Sequence, residues 1–182
     1  MQHLMEEVLS TIANEGALYE NALSAARERQ KILAKPTGAL GTLEDISIQM
    51  AGITGNVKNE INKKAIVIMS ADNGVVSEGV ASAPQSVTLS QTINFTRGLT
   101  GVSSMAKHFG IDLLVIDMGV KLPIPQTLYT DSPIENGKLT KKILNRSLGK
   151  GTKNLAVEPA MTRSQAIKAI LECFFCKSDK GL

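Results

Sequence analysis

The N-terminal third of the sequence spaces its apolar residues as amphipathic α-helices do. Leu4, Val8 and Ile12 recur every four residues and predict one apolar helix face. A second helical stretch is predicted from the apolar residues Leu18, Ala22, Ala25, Ala26 and Leu33. Residues 1–55 are therefore predicted to form a helical portion of the chain.

A break at residues 35–41 separates this stretch from a third predicted helix. The break reads KPTGALG, and its proline and glycines interrupt helical structure. Thr42 and Asp45 suit the N-cap and the third position of the new helix, and Gly52 suits its end. Its predicted apolar stripe is Leu43, Ile46 and Met50.

Two short apolar runs farther along the chain predict β-strands that are buried on both faces. They occupy residues 65–69 and 113–116, and neither contains a polar residue. About 40 residues separate them, enough for a loop and one or two helices, which predicts parallel pairing with a right-handed crossover. The predicted fold class is α/β, with a parallel-sheet, Rossmann-like core within residues 56–182.

The remaining pattern predicts helices on both sides of an irregular segment. Pro84 suits the first position of a helix whose Leu89 and Ile93 share an apolar face. Residues 123–151 contain three prolines and an Asn-Gly pair, which predicts an extended loop with no more than one short strand. Thr162 and Gln165 form a capping box before the last predicted helix.

The ends of the two predicted strands are the first place to expect a ligand. Open parallel sheets bind ligands beyond the carboxyl ends of their strands. Asp72 and Asn73 follow the first strand, and Asp117 follows the second. Their carboxylates can hold a hydroxyl group or a loop amide of the ligand site. Alternatively, each aspartate only caps its own turn, which is the better supported interpretation of either one alone.

Gln91 lies on the helix that follows the first strand. A helical wheel places it opposite Leu89 and Ile93, on the same side as Thr88 and Phe95. An amide beside an aromatic ring could contact a flat heterocycle. The alternative is an ordinary surface glutamine, which periodicity alone favours.

The composition narrows the class of protein without assigning a function. The 182 residues carry a formal net charge of +3, and residues 138–153 contain six basic residues and no acidic one. Because no aromatic residues interleave with these charges, a solvated surface is favoured over a nucleic-acid- or phosphate-binding patch. No segment resembles a signal peptide or approaches the ~20 apolar residues of a membrane span, so a cytoplasmic location is expected.

The residues that commonly bind metals or act as catalysts form no strong signature. Cys173 and Cys176 make a C-x-x-C pair without two further ligands, which is weak support for a metal site. Of the two histidines, His3 and His108, the second lies at a predicted helix end, where a capping role is favoured. No metal and no other cofactor are predicted.

Several segments resemble, in order, the motifs of the dimethylbenzimidazole phosphoribosyltransferase family. Residues 35–44, KPTGALGTLE, resemble the family's K-P-P-G-S-L-G-x-L-E motif. Residues 71–88 resemble its signature A-D-H/N-G-V…E-G-V…P-x-x-V-T. Further matches are residues 94–102, 117–120, 151–156 and 158–162. Together these segments extend over about residues 30–170.

The resemblance implies a glycosyltransferase of cobalamin biosynthesis that acts as a homodimer without a metal. A nitrogen of 5,6-dimethylbenzimidazole attacks C1′ of nicotinate mononucleotide, nicotinate leaves, and α-ribazole 5′-phosphate forms. The parallel-sheet domain is accompanied by a smaller helical domain built from both chain ends. The substrate-binding residues expected from motif position and strand-end location are Gln91, Ala83, Asp72 and Asn73. Neither a nucleic acid nor a membrane is expected among the partners.

The resemblance assigns the general-base glutamate and the phosphate-binding segment to a second half that follows residue 182. The chain is therefore expected to be a truncated form without a catalytic residue of its own. The alternatives are a non-catalytic benzimidazole- or ribazole-binding protein and a non-functional gene remnant. Some core side chains are expected to remain exposed for lack of cover, among them Ile66, Ile68, Leu114 and Ile116.

Overall fold

The structure is a computed structural model that describes residues 3, 5, 6, 9, 10 and 18–178, with side chains described up to residue 172. The chain divides into two compact units, Glu6–Asn62 and Lys63–Leu182, the latter together with Met1–Met5. The predicted domain boundary after residue 55 stays a prediction. The predicted stripe of Leu4, Val8 and Ile12 lies outside the described residues, and so do the side chains of Cys173 and Cys176.

Within residues 18–62, the first unit forms two helices, α1 (Glu20–Ile32) and α2 (Thr42–Thr54). Their contact is made by small side chains, because Ala22, Ala26 and Ala51 form the buried cluster. At Gly52 an added Cβ would lie 2.7 Å from Cδ2 of Leu23. A glycine at this position therefore permits the close approach of the two helices.

The break between the helices is held by an ion pair. Nζ of Lys35 lies 2.6 Å from Oε1 of Glu44, and both side chains are largely buried. The same carboxylate oxygen accepts a hydrogen bond from the backbone N–H of Leu40 at 3.1 Å. The hydrogen bond from Lys35, followed by that from Leu40, lowers the pKa of Glu44.

Two predicted boundaries of α2 are wrong. Its N-cap is Gly41, not Thr42. The helix continues through Gly52 and ends at Thr54, and its C-cap is Gly55, whose φ of 72° lies in the left-handed region that glycine adopts without steric cost. Gly52 was a plausible end by residue type, but its packing against α1 keeps it inside the helix.

The apolar stripes predicted for this unit are only partly correct. Ala25 is exposed, and Leu18 and Leu33 lie outside α1. On α2, Leu43 is 63% exposed and Ile46 is 49% exposed. Periodicity identifies an apolar face, but the contact with a partner decides whether it is buried, and here the alanine and glycine face makes that contact.

The second unit is built on a four-stranded parallel sheet in the order β1-β2-β6-β3. Its strands are β1 (Ala65–Ala71), β2 (Asp112–Gly119), β3 (Tyr129–Thr130) and β6 (Ile143–Asn145). A separate antiparallel hairpin consists of β4 (Ile134–Glu135) and β5 (Lys138–Leu139). The predicted α/β class with a parallel sheet is confirmed.

The segment between β2 and the last helix contains more strands than predicted. Where no more than one was expected in residues 123–151, the structure has four, each of two or three residues. Such strands are too short to show an alternating pattern and depend on pairing with β2 and with one another. The Asn136-Gly137 turn of the hairpin has φ values of 52° and 72°, which suit this residue pair.

Within residues 63–178, three α-helices complete this unit: α3 (Ser86–Arg97), α4 (Gly101–His108) and α5 (Arg163–Ser178). α3 begins at Ser86 and not at the predicted Pro84. The predicted capping box before α5 is confirmed, with a hydrogen bond of 3.2 Å from the backbone N–H of Gln165 to Oγ1 of Thr162. None of the helices in the described part of the chain is long and apolar enough to cross a membrane.

The central strand β2 supplies the core on both faces of the sheet. Leu114 and Ile116 are fully buried with Leu144 on one face. Val115 is buried with Ile143 on the other face. The latter cluster is covered by α3 through Leu89, Ile93 and Phe95.

The prediction that core side chains of β2 remain exposed is wrong. Leu114 and Ile116 were expected to lack cover, but both are 0% exposed. On β1, Ile66 and Ile68 are half-buried, whereas Val67 on the opposite face is 43% exposed, so this strand is not buried on both faces. Val67 is paired with Leu114, but β1 has a neighbouring strand on one side only within the described sheet.

This arrangement predicts unequal effects of substitution along the paired strands. Leu114→Ala should lower the free energy of unfolding by about 2–5 kcal/mol, because it opens a cavity in the core. Val67→Thr keeps the branched Cβ on an exposed face and should change it by less than ~0.5 kcal/mol. Urea unfolding followed by circular dichroism measures both, and equal losses would contradict the assignment of the core to β2.

Candidate functional site

A cleft of about 340 Å³ lies beyond the carboxyl end of β1, between the 3-10 turn Gly74–Glu78 and the start of α3. Most of its wall is made of small apolar side chains, namely Val75, Val76, Val80, Ala81, Ala83, Pro84 and Val87. Its polar lining residues are Asp72, Asn73, Gln85 and Thr88. A mostly apolar wall with a few fixed polar groups is the usual composition of a small-molecule site.

Asp72 joins the ends of two strands and a distant loop. It is 4% exposed, and its backbone N–H donates to the carbonyl oxygen of Gly119 at 3.0 Å. Its Oδ2 accepts a hydrogen bond of 2.8 Å from the backbone N–H of Lys121, and its carbonyl oxygen accepts one of 3.0 Å from the backbone N–H of Thr152. Asp72 therefore holds a loop amide, one of the two roles considered for it, and does not cap its own turn.

Asp117, by contrast, caps its own turn, which was the alternative interpretation of this residue. Its Oδ1 accepts hydrogen bonds from the backbone N–H groups of Gly119 and Val120, both at 2.8 Å. Its Oδ2 accepts a short hydrogen bond from the hydroxyl group of Tyr129. Burial, and after it this hydrogen bond, raises the pKa of Tyr129 above its ordinary value.

Asn73 and Gln85 form a hydrogen-bonded chain along the cleft. Nε2 of Gln85 donates to the carbonyl oxygen of Asn73 at 3.2 Å. Oε1 of Gln85 accepts a hydrogen bond of 3.0 Å from Nζ of Lys121. Sequence reasoning missed both Gln85 and Lys121, although Gln85 stands directly before the helix that follows β1 and Lys121 directly beyond β2.

The predicted site residues do not all meet in the cleft. Asp72, Asn73 and Ala83 line it together. Gln91 is exposed and does not belong to the lining. Phe95, expected on the same side as Gln91, packs instead in the core cluster of Val115. Contact of Gln91 with a ligand stays a prediction.

The loop that follows β6 closes on the wall of the cleft. The backbone N–H of Gly74 donates to Oγ1 of Thr152 at 3.2 Å. An added Cβ at Gly74 would lie 2.5 Å from the carbonyl carbon of Lys153. The Nδ2 group of Asn154 donates to Oγ of Ser77 at 3.0 Å. The loop thus fixes the 3-10 turn, and the contact leaves no room for a side chain at residue 74.

The other titratable side chains singled out in the sequence form no metal-ligand cluster among the described residues. No group of three or more His, Cys, Asp or Glu side chains among them could hold a metal ion. In the basic segment, Arg146 is paired with Glu172 and Lys153 with Glu158. His108 lies in the last turn of α4.

A family model described as "Phosphoribosyltransferase" matches residues 16–175. The chain is 48% identical over 181 residues to the nicotinate-nucleotide–dimethylbenzimidazole phosphoribosyltransferase of Clostridium perfringens, covering 98% of this chain and 45% of that protein. It is 42% identical over 167 residues to the enzyme of the same name from Clostridium tetani, covering 92% of this chain and 41% of that protein.

Two solved crystal structures are also similar to the chain. A crystal structure of the phosphoribosyltransferase of the same name from Thermus thermophilus matches with a TM-score of 0.72 and 36% identity, over 83% of this chain and 42% of that chain. A second crystal structure, of CobT from the same organism, matches with a TM-score of 0.73 and 33% identity, over 87% and 45%. The chain therefore spans less than half the length of these relatives.

The contact at Gly74 predicts that adding a single methyl group at this position lowers the stability of the protein. Gly74→Ala should lower the free energy of unfolding by about 1–3 kcal/mol, because the added Cβ displaces the backbone of the loop. Gly101→Ala, with open space around the added Cβ, should change it by less than ~1 kcal/mol. Urea unfolding measures both, and a neutral Gly74→Ala would disprove the tight contact.

The contact of Tyr129 with Asp117 predicts a pH dependence. The pKa of Tyr129 is raised in the folded state, so its contribution to stability is complete below the ~10 of an unfolded tyrosine and falls above it. Tyr129→Phe should lower the free energy of unfolding by about 1–3 kcal/mol at neutral pH. The difference between the two proteins should shrink as pH rises beyond about 10, measured by urea unfolding. A constant difference would contradict the raised pKa.

Proposed function

Since the chain belongs to the phosphoribosyltransferase family whose model matches residues 16–175, we propose that it carries the benzimidazole-binding part of a nicotinate-nucleotide–dimethylbenzimidazole phosphoribosyltransferase. The similarity to enzymes of that name supports the substrate class. The product is α-ribazole 5′-phosphate, the lower-ligand nucleotide of cobalamin, and the second product is nicotinate.

The proposed reaction exchanges one glycosidic bond for another. A ring nitrogen of 5,6-dimethylbenzimidazole supplies an electron pair to C1′ of nicotinate mononucleotide, and the bond from C1′ to the pyridine nitrogen breaks with its electrons leaving on nicotinate. The benzimidazole N–H proton must then pass to a base. The protein's tasks are to hold the two rings in line at C1′ and to accept this proton.

The cleft beside Asp72 is the observation that carries the proposal. It lies beyond the carboxyl end of a parallel strand, where ligands of such sheets bind. Its apolar wall of valine, alanine and proline side chains suits the flat, largely apolar benzimidazole ring. The small side chain of Ala83 leaves space at the wall, and Asn73 and Gln85 are among the polar lining residues.

The cleft supports binding better than it supports proton transfer. Among the described lining residues, Asp72 is the only one with a carboxyl group. It is 4% exposed, and its Oδ2 accepts the N–H of Lys121. This arrangement agrees with the resemblance, which assigns the proton acceptor to a glutamate beyond residue 182.

A second candidate function follows from the same observation. The chain would act as a non-catalytic protein that binds a benzimidazole or its riboside, with Asp72 serving the structure alone. Release of nicotinate from nicotinate mononucleotide by this chain, dependent on added 5,6-dimethylbenzimidazole, would exclude the second function. Binding without release is expected of both functions for the 182-residue chain, because the resemblance assigns the proton acceptor to a glutamate beyond residue 182.

The proposal also covers the location, the oligomeric state and the partners of the protein. We place the protein in the cytoplasm as a homodimer that acts on small molecules and not on nucleic acid. Exposed apolar side chains on β1 and α2, among them Val67 and Leu43, offer surfaces for association. Against nucleic-acid binding, Arg146 and Lys153 of the basic segment are paired with carboxylates. The helical portion at residues 1–55 is proposed to belong to the smaller domain.

Calorimetry with the 182-residue chain tests the proposed cleft. The chain should bind 5,6-dimethylbenzimidazole, and more tightly than it binds nicotinate mononucleotide. Ala83→Leu should weaken this binding by about tenfold or more, because the larger side chain fills the cleft. Ala25→Leu, at an exposed position of α1, is the matched control and should have no effect.

The role of Gln91 is tested in the same titration. If the amide of Gln91 reaches the ligand, Gln91→Ala should weaken the binding of 5,6-dimethylbenzimidazole by roughly 1 kcal/mol, the net value of one hydrogen bond. An unchanged affinity would make Gln91 a surface residue. Absence of 5,6-dimethylbenzimidazole binding by the unmodified chain would overturn the proposed function itself.

A further inference from the structure

The 3-10 turn Gly74–Glu78 forms part of the cleft wall, but it is not held in place by burial. Val75 and Val76 of this turn line the cleft, and none of its five described residues is buried. A segment without buried side chains gains little stability from packing and opens easily by itself. Contacts with other segments of the chain therefore decide how firmly this part of the wall is held.

The side chain of Asn154, in the loop after β6, makes such a contact. Its Nδ2 donates to Oγ of Ser77 at 3.0 Å and to Oε1 of Glu78 at 2.5 Å. Oγ of Ser77 in turn donates to the carbonyl oxygen of Gly74 at 3.0 Å. At the start of the turn, Oγ1 of Thr152 accepts the backbone N–H of Gly74 at 3.2 Å. The loop after β6 therefore holds the turn at both of its ends.

The orientation of the Asn154 amide is fixed by its own loop. Its Oδ1 accepts a hydrogen bond of 3.1 Å from the backbone N–H of Ala156. Its carbonyl oxygen accepts the backbone N–H groups of Val157 and Glu158, both at 3.0 Å. Because the amide oxygen is occupied within the loop, the two N–H donors of the same amide are available to the turn. The acceptor on Glu78 is a carboxylate, and hydrogen bonds to charged groups are the stronger ones.

We propose that Asn154 is a positioning residue of the benzimidazole cleft, whose amide holds the turn Gly74–Glu78 in the conformation in which Val75 and Val76 contact the base. The inference rests on the proposed function and adds to it a residue that does not touch the ligand, because Asn154 is not among the described lining residues. A wall that is already ordered loses little conformational freedom when the ligand binds, so it binds more tightly than a mobile wall.

Calorimetry of the full 182-residue chain with 5,6-dimethylbenzimidazole tests this role. Asn154→Ala removes both hydrogen bonds to the turn and should weaken binding by about fivefold or more, the equivalent of at least one net hydrogen bond. Glu158→Gln is the matched control, because it removes the exposed ion pair with Lys153 from the same loop and leaves the contact with the turn intact. The control should keep the full affinity, and an equal loss in both variants overturns the proposal.

A second pair of variants reverses the polarity of the contact between Asn154 and Glu78. Asn154→Asp keeps an acceptor for the backbone N–H of Ala156, but it places a second carboxylate beside Glu78, so binding should weaken at least as much as in Asn154→Ala. Adding Glu78→Gln to this variant supplies an amide that donates to the new carboxylate, and it should restore most of the affinity. A double variant that binds no better than Asn154→Asp contradicts the proposed contact.

A third measurement does not depend on benzimidazole binding. In Asn154→Ala, the backbone order parameters of Val75 and Val76 from NMR relaxation should fall from the ~0.85 of rigid backbone toward ~0.6, whereas that of Leu114 in the core should not change. If the unmodified chain binds no 5,6-dimethylbenzimidazole but these order parameters fall, the proposed function fails and the positioning of the turn by Asn154 stands. If the chain binds the base and either its affinity or the order parameters stay the same in Asn154→Ala, the inference about Asn154 is wrong and the cleft remains.

Discussion

Burying the carboxyl group of Asp72 at 4% exposure requires hydrogen bonds that replace those it would make to water. The chain provides these bonds by bringing the backbone of Lys121 to its Oδ2, while the main chain of the same aspartate binds Gly119 and Thr152. One residue thereby joins the ends of β1 and β2 to the loop after β6. Asp72 is also one of the residues that line the cleft, so this junction lies at the edge of the candidate site.

The junction also explains why glycine is required at two positions around it. An added Cβ at Gly74 would lie 2.5 Å from the backbone of the closing loop. At Gly151, where φ is 85°, it would lie 2.9 Å from the carbonyl oxygen of Asp72. The backbone of the loop after β6 thus touches the backbone of the segment that follows β1 directly. Main-chain contacts hold this segment in place, and its side chains, together with Ala83 and Gln85, line the cleft.

The buried carboxyl groups near the cleft support the fold. Oδ2 of Asp72 accepts the backbone N–H of Lys121, and Asp117 accepts two backbone N–H groups and the hydroxyl group of Tyr129. The amide of Gln85 and the ammonium group of Lys121 bind each other at an exposed position. The protein itself therefore occupies the buried carboxyl groups, whereas Gln85 and Lys121 are the polar groups nearer to solvent.

The order of residues alone was enough to predict the parallel α/β class, the positions of β1 and β2, and the capping box at Thr162. Continuous apolar runs and local hydrogen bonds can be predicted in this way because they involve residues that are close together in the sequence. It also placed Asp72, Asn73 and Ala83 in one candidate site, because residues close in sequence after a strand are close in space.

Which apolar faces are buried, and which polar groups form hydrogen bonds over long sequence distances, could be seen only in the folded structure. Val67 and Leu114 are equally apolar in sequence, yet the first is 43% exposed and the second 0%, because β2 has a strand on each side and β1 has one in the described sheet. Asp72 and Lys121 are 49 residues apart, and Gln85 and Lys121 are 36 residues apart. Such contacts depend on strand order and loop closure, which hydrophobic periodicity does not encode.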